Sequence, residues 1–336
     1  MSSEAPRASK RTRTQRTFYD DSGIPSSYSS KEAKAAYLAK KQKRADVCPV
    51  VAPVAPWTDK HVEHLLRELE QGNYGTAWSA GQILLQCLLK NEEGLHDKVR
   101  AAKGPERILK LIVDETNCPG MTRKAPDDDL FDENVPLTFV QKRKICTDFC
   151  GHLVTVLNFF VHGHKDMSRA LIDAGGIQTM VRVLRMGDDR AKSMAASVLD
   201  FLAEAEQGRQ AQGMHAHIMD AHGAIPLLIH IIESTHEEDG PRSAACALVS
   251  IVDALPPLAE KVVKLGAIPI IVEFMLKGNN HHNKICGSEC LQALCEADNK
   301  YEAEILKLGA VRRELSEAQK ATGCYGEFIM SDDLNF

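Results

Sequence analysis

The chain has 336 residues, 44% of them hydrophobic and only 5% aromatic, with a formal net charge of -5 at pH 7. No stretch is apolar for long enough to span a membrane or to form a signal-peptide core, and the ten cysteines are scattered rather than spaced as a disulfide framework, so a soluble intracellular chain with free thiols is expected. The charge is uneven: residues 1–57 hold 11 Lys/Arg against 5 Asp/Glu, which puts a basic arm of +6 ahead of a body of -11.

Residues 1–29 show hardly any apolar periodicity and are expected to lack packed structure. Ser30 can cap a short helix, KEAKAAYLAKKQKR, and the Pro-rich CPVVAPVAP after it reads as a linker closing an arm at residue 57. Within that helix Lys40, Lys41, Lys43 and Arg44 form a compact basic cluster of the kind nuclear-import receptors read by charge, with Lys10, Arg11, Arg13 and Arg16 adding to it. The competing reading is the helix's solvated face. A chain of the cytoplasm and nucleus is expected.

The body runs over 58–322. Thr58 caps HVEHLLREL, Gly72 and Gly75 break the chain, a second apolar helix spans about Ala77 to Leu89, and another leads to Gly104-Pro105. DAGGIQTMVRVL, DAHGAIPLLIHII, KLGAIPIIVEFM and KLGAVRREL then place Gly176, Gly223, Gly266 and Gly309 at intervals of 47, 43 and 43 residues. That spacing is the period of a helical repeat array. Each anchor glycine is expected to close a short helix, with Pro226 and Pro269 restarting the chain where no donor is needed. An apolar helix, a polar turn (MGDDR, ESTHEEDG, KGNNHHN) and a longer Ala- and Leu-striped helix complete a three-helix unit. From Gly104 to Gly176 the interval is 72 residues, and the surplus is the acidic, Pro-bounded segment 114–136, read as a loop insertion. A polar helix near Val311–Lys320 and a tail at 323–336 end the chain.

The G-A-I-P starts and the later A-x-A-L stretch, shown best by Ala224, Ile225, Pro226, Ala245, Ala247 and Leu248, resemble the armadillo repeat family. The resemblance implies an all-α, right-handed superhelical solenoid of about five irregular three-helix repeats. It also implies that the last helix of each unit lines a concave groove. Matched to the family's A-L-x-N-like stretch, Phe159, Phe201, Ser250 and Glu296 stand where importin alpha and similar proteins carry ladder asparagines, and Thr155, Ser197, Cys246 and Gln292 where they carry tryptophans. Both the asparagines and the tryptophans are missing there, which counts against an import adaptor. With His152, Glu204, Asp253 and Asn299 around them, these positions make a polar, somewhat acidic groove suited to extended or helical protein segments bearing positive charge.

Chemistry has little support. Cys146, Cys150 and His152, and Cys286, Cys290 and Cys295 near His281 and His282, suggest metal ligands, yet they lie on apolar helical stripes without zinc-finger spacing, where cysteine acts as a small hydrophobe. His215, His217 and His222 have no carboxylate or nucleophile at an acid–base or triad spacing, and phosphate-loop, dinucleotide and nucleophile-elbow motifs are absent. Neither metal nor cofactor nor catalysis is expected, and nucleic acid only at the basic arm. The last residues, Leu334-Asn335-Phe336, have the form of a PDZ-domain ligand. The function expected is a non-enzymatic protein-interaction scaffold or adaptor; the alternatives are a nuclear-transport adaptor and a chaperone nucleotide-exchange cofactor.

Overall fold

The computed structural model describes residues 57–72, 74–90, 94–117, 139–205, 213–234, 239–277, 281–312 and 328–330. All of them lie in one compact unit, Ala52–Phe336. A leading pair, α1 (Asp59–Gln71) and α2 (Tyr74–Leu89), is followed by four triplets. These are α3 (Leu95–Ala101), α4 (Gly104–Asn117) and α5 (Phe139–Val161), then α6 (Lys165–Asp173), α7 (Gly176–Met186) and α8 (Asp189–Glu204). Next come α9 (Met214–Ala221), α10 (Ala224–Ser234) and α11 (Asp239–Ala254), then α12 (Leu258–Lys264), α13 (Ala267–Lys277) and α14 (His281–Ala297). A 3-10 turn at Asn299–Tyr301 and α15 (Glu302–Lys307) lead to β1 (Ala310–Arg312), which pairs antiparallel with β2 (Phe328–Met330).

Local chemistry sets the helix starts. Thr58 Oγ1 accepts the His61 N–H at 3.3 Å while the Thr58 N–H donates to His61 Nδ1 at 3.4 Å, a reciprocal cap on α1. Asp188 Oδ1 accepts the Ala191 N–H at 2.7 Å and caps α8. Gly72 ends α1, but Gly75 lies inside α2, because Tyr74 is buried and its hydroxyl donates to the buried Glu115 at 3.0 Å. The same contact explains why Asp114–Asn117, expected in the insertion, extend α4. The remainder of the insertion, 118–136, lies outside the described residues, as do the Ser30-capped helix, the basic cluster at 40–44 and the chain end at 334–336.

The first and second helices of each unit meet at one left-handed residue: Lys103 (φ +54°), Gly175 (+86°), Gly223 (+82°), Gly266 (+78°), and Gly309 (+88°) before β1. The first anchor is thus Gly175 rather than Gly176. Gly176 is already helical, and it is small for a different reason: a Cβ there would stand 2.6 Å from the Leu171 carbonyl oxygen.

Two rows of helices result. The second helices, α1, α4, α7, α10 and α13, pack one against the next, and so do the third helices, α2, α5, α8, α11 and α14. Between the rows Leu199, Leu228, Leu248 and Ile271 are wholly buried. Across the N-terminal joint the Arg107 guanidinium holds Glu70 with two nitrogens, at 2.7 and 2.6 Å, and Glu63 with the third at 2.8 Å, tying α4 to α1.

The ends are covered by residues assigned from sequence to the flanks. Trp57, expected in the arm, is 5% exposed and meets His61 edge-on. Instead of a helix from Val311, residues 310–312 form a strand: the left-handed turn at Gly309 stops helix propagation and β1 finds a partner in β2. The tail residue Phe328 is 1% exposed, and its N–H donates to Ser288 Oγ at 2.8 Å, so this part of the tail is seated on α14. Residues 313–320 lie outside the described set.

Lys103 is the one non-glycine residue at a left-handed joint among the described residues. Lys103→Gly is expected to raise unfolding free energy by about 1 kcal/mol, because an L side chain in this region is disfavoured by roughly that amount. Gly266→Ala, where an added Cβ would touch nothing within 4 Å, is expected to lower it by a similar amount through backbone strain alone. Urea midpoints at constant m-value measure both shifts.

Candidate functional site

Each third helix turns one side to the second-helix row and its flanks to neighbouring third helices, which leaves one side of the row facing solvent. Of the twelve groove residues expected from the sequence, nine are accessible. Glu204, Asp253, Glu296 and Asn299 are exposed, although Asn299 sits in the 3-10 turn beyond α14. Ser197, Cys246, Gln292, Phe159 and Phe201 are half-buried. The core positions beside the two phenylalanines belong to Phe160 and Leu202, both fully buried, and the Phe201 ring stacks on His162 with centroids 5.0 Å apart.

The other three are turned inward. Thr155 donates back to the Gly151 carbonyl at 2.8 Å, and Ser250 donates to Asp200 Oδ1 at 2.6 Å. His152, 2% exposed, lies flat against Trp78 with centroids 4.4 Å apart and packs on Gly81, where a Cβ would collide with its Nε2. Burial, with Arg190 nearby, holds the ring's pKa down at about 4 against the raising effect of the Trp78 backbone, so it is neutral.

Sequence reasoning missed Trp78. It is half-buried on α2, the first helix of the third-helix row. Also missed were two acids, Asp200 and Glu289. Burial drives Asp200 up to about 7, against the lowering effect of the Ser250 hydrogen bond and with help from Glu204 and Glu289. Glu289 is raised by burial, and Asp253, though exposed, by partial desolvation of its carboxylate and then by Glu296. Helical spacing was the available signal: Asp200 with Glu204, and Glu289 with Glu296, fall on common faces.

Asp200, Glu204, Asp253, Glu289 and Glu296 thus gather on α8, α11 and α14, and among the described residues none forms a salt bridge. The Gln292 amide donates to Glu296 at 2.8 Å, one acceptor met by a neutral donor. Beneath them the Cys246 thiol donates to Cys286 across 3.6 Å, which raises Cys246 and lowers Cys286 from the ordinary thiol value. Cys290 is buried and pushed up to about 12 by desolvation. Cys150 and Cys295 are also buried, and no cluster of three or more His, Cys, Asp or Glu side chains arranged to hold a metal occurs among the described residues. The side chains of Cys146 and His281 lie outside that set. His215 Nδ1 stands 3.2 Å from the Leu202 carbonyl, His217 is exposed, and His222 is the C-cap of α9. No helix among the described residues is long and apolar enough to cross a membrane.

No family model and no curated protein matches this chain. Solved structures do. A designed armadillo repeat protein is similar at TM-score 0.55 and 15% identity over 74% of this chain and 88% of that one. A computationally designed armadillo repeat protein for modular peptide recognition is similar at TM-score 0.54 and 15% identity, covering 74% and 88%. A third, a designed armadillo repeat protein in complex with the peptide (KR)4, has TM-score 0.55 and 14% identity over 78% of this chain and 96% of that one. At such identities the likeness is one of fold: the chain is an all-α armadillo-type solenoid.

Asp200 makes stability depend on pH. Its folded pKa lies above the unfolded value, so the folded state holds the proton more tightly, and its contribution falls as pH rises from about 4 to about 7 and is constant above. Asp200→Asn keeps an acceptor for Ser250 and is expected to stabilise the chain at pH 8 by on the order of 2 kcal/mol, shrinking towards nothing near pH 4. Chemical denaturation of both proteins across that range checks the sign. His152, depressed, acts oppositely between about 4 and 6.5 in both proteins, and cancels in the difference.

Proposed function

We propose that the solvent face of the third-helix row binds an extended protein segment rich in Lys and Arg, and that the chain works as a non-enzymatic interaction scaffold. One observation carries this reading: five carboxylates on three successive third helices with no cationic partner among the described residues. Removing solvent from unpaired acids is unfavourable unless an opposite charge arrives with the group that displaces the water. A segment crossing the row would place one cationic side chain after another against α8, α11 and α14. Phe201 on α8, and Phe159 and Trp78 further towards the N-terminus, offer flat apolar surface to the long side-chain stems. A designed protein of the same fold was solved with a peptide of alternating Lys and Arg, which supports this choice of partner chemistry.

The test is anisotropy of a fluorescent (Lys-Arg)4 peptide titrated with the full chain, beside a peptide of alternating Glu and Asp. Saturable binding of the basic peptide alone is expected, weakening as salt is added. Combining Glu204→Gln, Asp253→Asn and Glu296→Gln should weaken it about tenfold, at about 0.5 kcal/mol for each exposed pair lost. Equal binding by that variant, or by the acidic peptide, would refute the assignment.

A further inference from the structure

Cys246 on α11 and Cys286 on α14 belong to different repeats, and their Sγ atoms stand 3.6 Å apart. Cys246 is half-buried at the edge of the acidic face, whereas Cys286 is 9% exposed and faces it from the neighbouring helix. The thiols meet because the third helices pack in register, an arrangement held on the other flank by the Ser250–Asp200 hydrogen bond between α11 and α8. A disulfide needs the two sulfurs at about 2.05 Å, so each has to advance by under about 1 Å. Rotation about the two Cα–Cβ bonds moves the sulfurs together, and the bridge, which holds its two Cα atoms within roughly 4.4–6.8 Å, draws α11 towards α14 as it closes.

We infer that Cys246 and Cys286 are a dithiol modification site, which a hydroperoxide converts to an intramolecular disulfide joining two consecutive repeats. The Cys286 sulfur attacks the peroxide: its S–O bond forms as the O–O bond breaks, and with the thiol proton the departing oxygen leaves as alcohol, or as water from hydrogen peroxide. Cys286 is then a sulfenic acid. Cys246 attacks that sulfur, the S–S bond forms, the S–O bond breaks, and hydroxide takes the Cys246 proton to leave as water. Two thiols are oxidised by two electrons in all and one peroxide bond is reduced.

Cys286 is the fitting first nucleophile because the Cys246 thiol donates to it and lowers its pKa. Burial, Glu289 and Asp200 act against both thiolates, while Arg242 favours that of Cys286 by charge. The functional consequence rests on the proposed peptide-binding reading. Drawing α11 onto α14 shifts Asp253 relative to Glu296, so the oxidised chain should bind the basic peptide several-fold more weakly.

The site itself is tested without the peptide. The reduced full chain is treated with hydrogen peroxide, its remaining thiols are blocked with iodoacetamide, and a tryptic digest made without reductant is read by mass spectrometry. The expected product joins peptide 243–261 to peptide 285–300, with fragment ions placing the bond at Cys246 and Cys286. It should form within one chain, disappear with dithiothreitol, be lost in Cys246→Ser and Cys286→Ser, and persist in Cys290→Ser. Recovery of Cys246 and Cys286 as alkylated thiols, attachment of Cys246 to Cys290 or Cys295 instead, or equal yield from urea-unfolded chain would each overturn the proposal. Mapping on the wild-type chain suffices if a serine variant does not fold. A mapped disulfide with unchanged peptide affinity would uphold the site and remove only its link to binding.

Discussion

A three-helix unit of this chain cannot bury its own apolar faces. Its second and third helices are apolar towards one another and also along their flanks, so burial is complete only when the preceding and following units are in place. The joint between first and second helices makes such stacking repeatable. One left-handed residue ends the short helix and re-aims the chain by the same turn in every unit, and the rows therefore stay in register. The same need explains both ends. Trp57 lies buried before α1, and Phe328, arriving from the far side of β1, lies buried against α14, where an array without such covers would leave its last apolar faces in water.

Registry of the third helices creates the candidate face. Because each helix is held on three sides, its fourth side presents whatever the sequence places there, and on α8, α11 and α14 the sequence places acids. The scaffold bears the cost. Asp200 is buried far enough to titrate near 7, and a stable array has to absorb that unfavourable charge. Trp78 and His152 show another side of the same packing, in which a glycine at 81 leaves room for a neutral imidazole to lie against the indole.

The sequence alone determined the helical repeat, its period, the cap at Thr58, and the joints at Gly223, Gly266 and Gly309, because all of these are written in residues a few positions apart. Four boundaries it placed wrongly were decided at a distance: Tyr74 with Glu115 lengthened α2 and α4, packing drew Trp57 into the body, and pairing with β2 turned Val311 into a strand. What only the tertiary structure decided is which side chains of one repeat meet those of the next. Ser250 with Asp200, Cys246 with Cys286, and Trp78 with His152 are contacts between adjacent third helices. Their registry depends on how whole helices slide past one another, and no local periodicity records that offset.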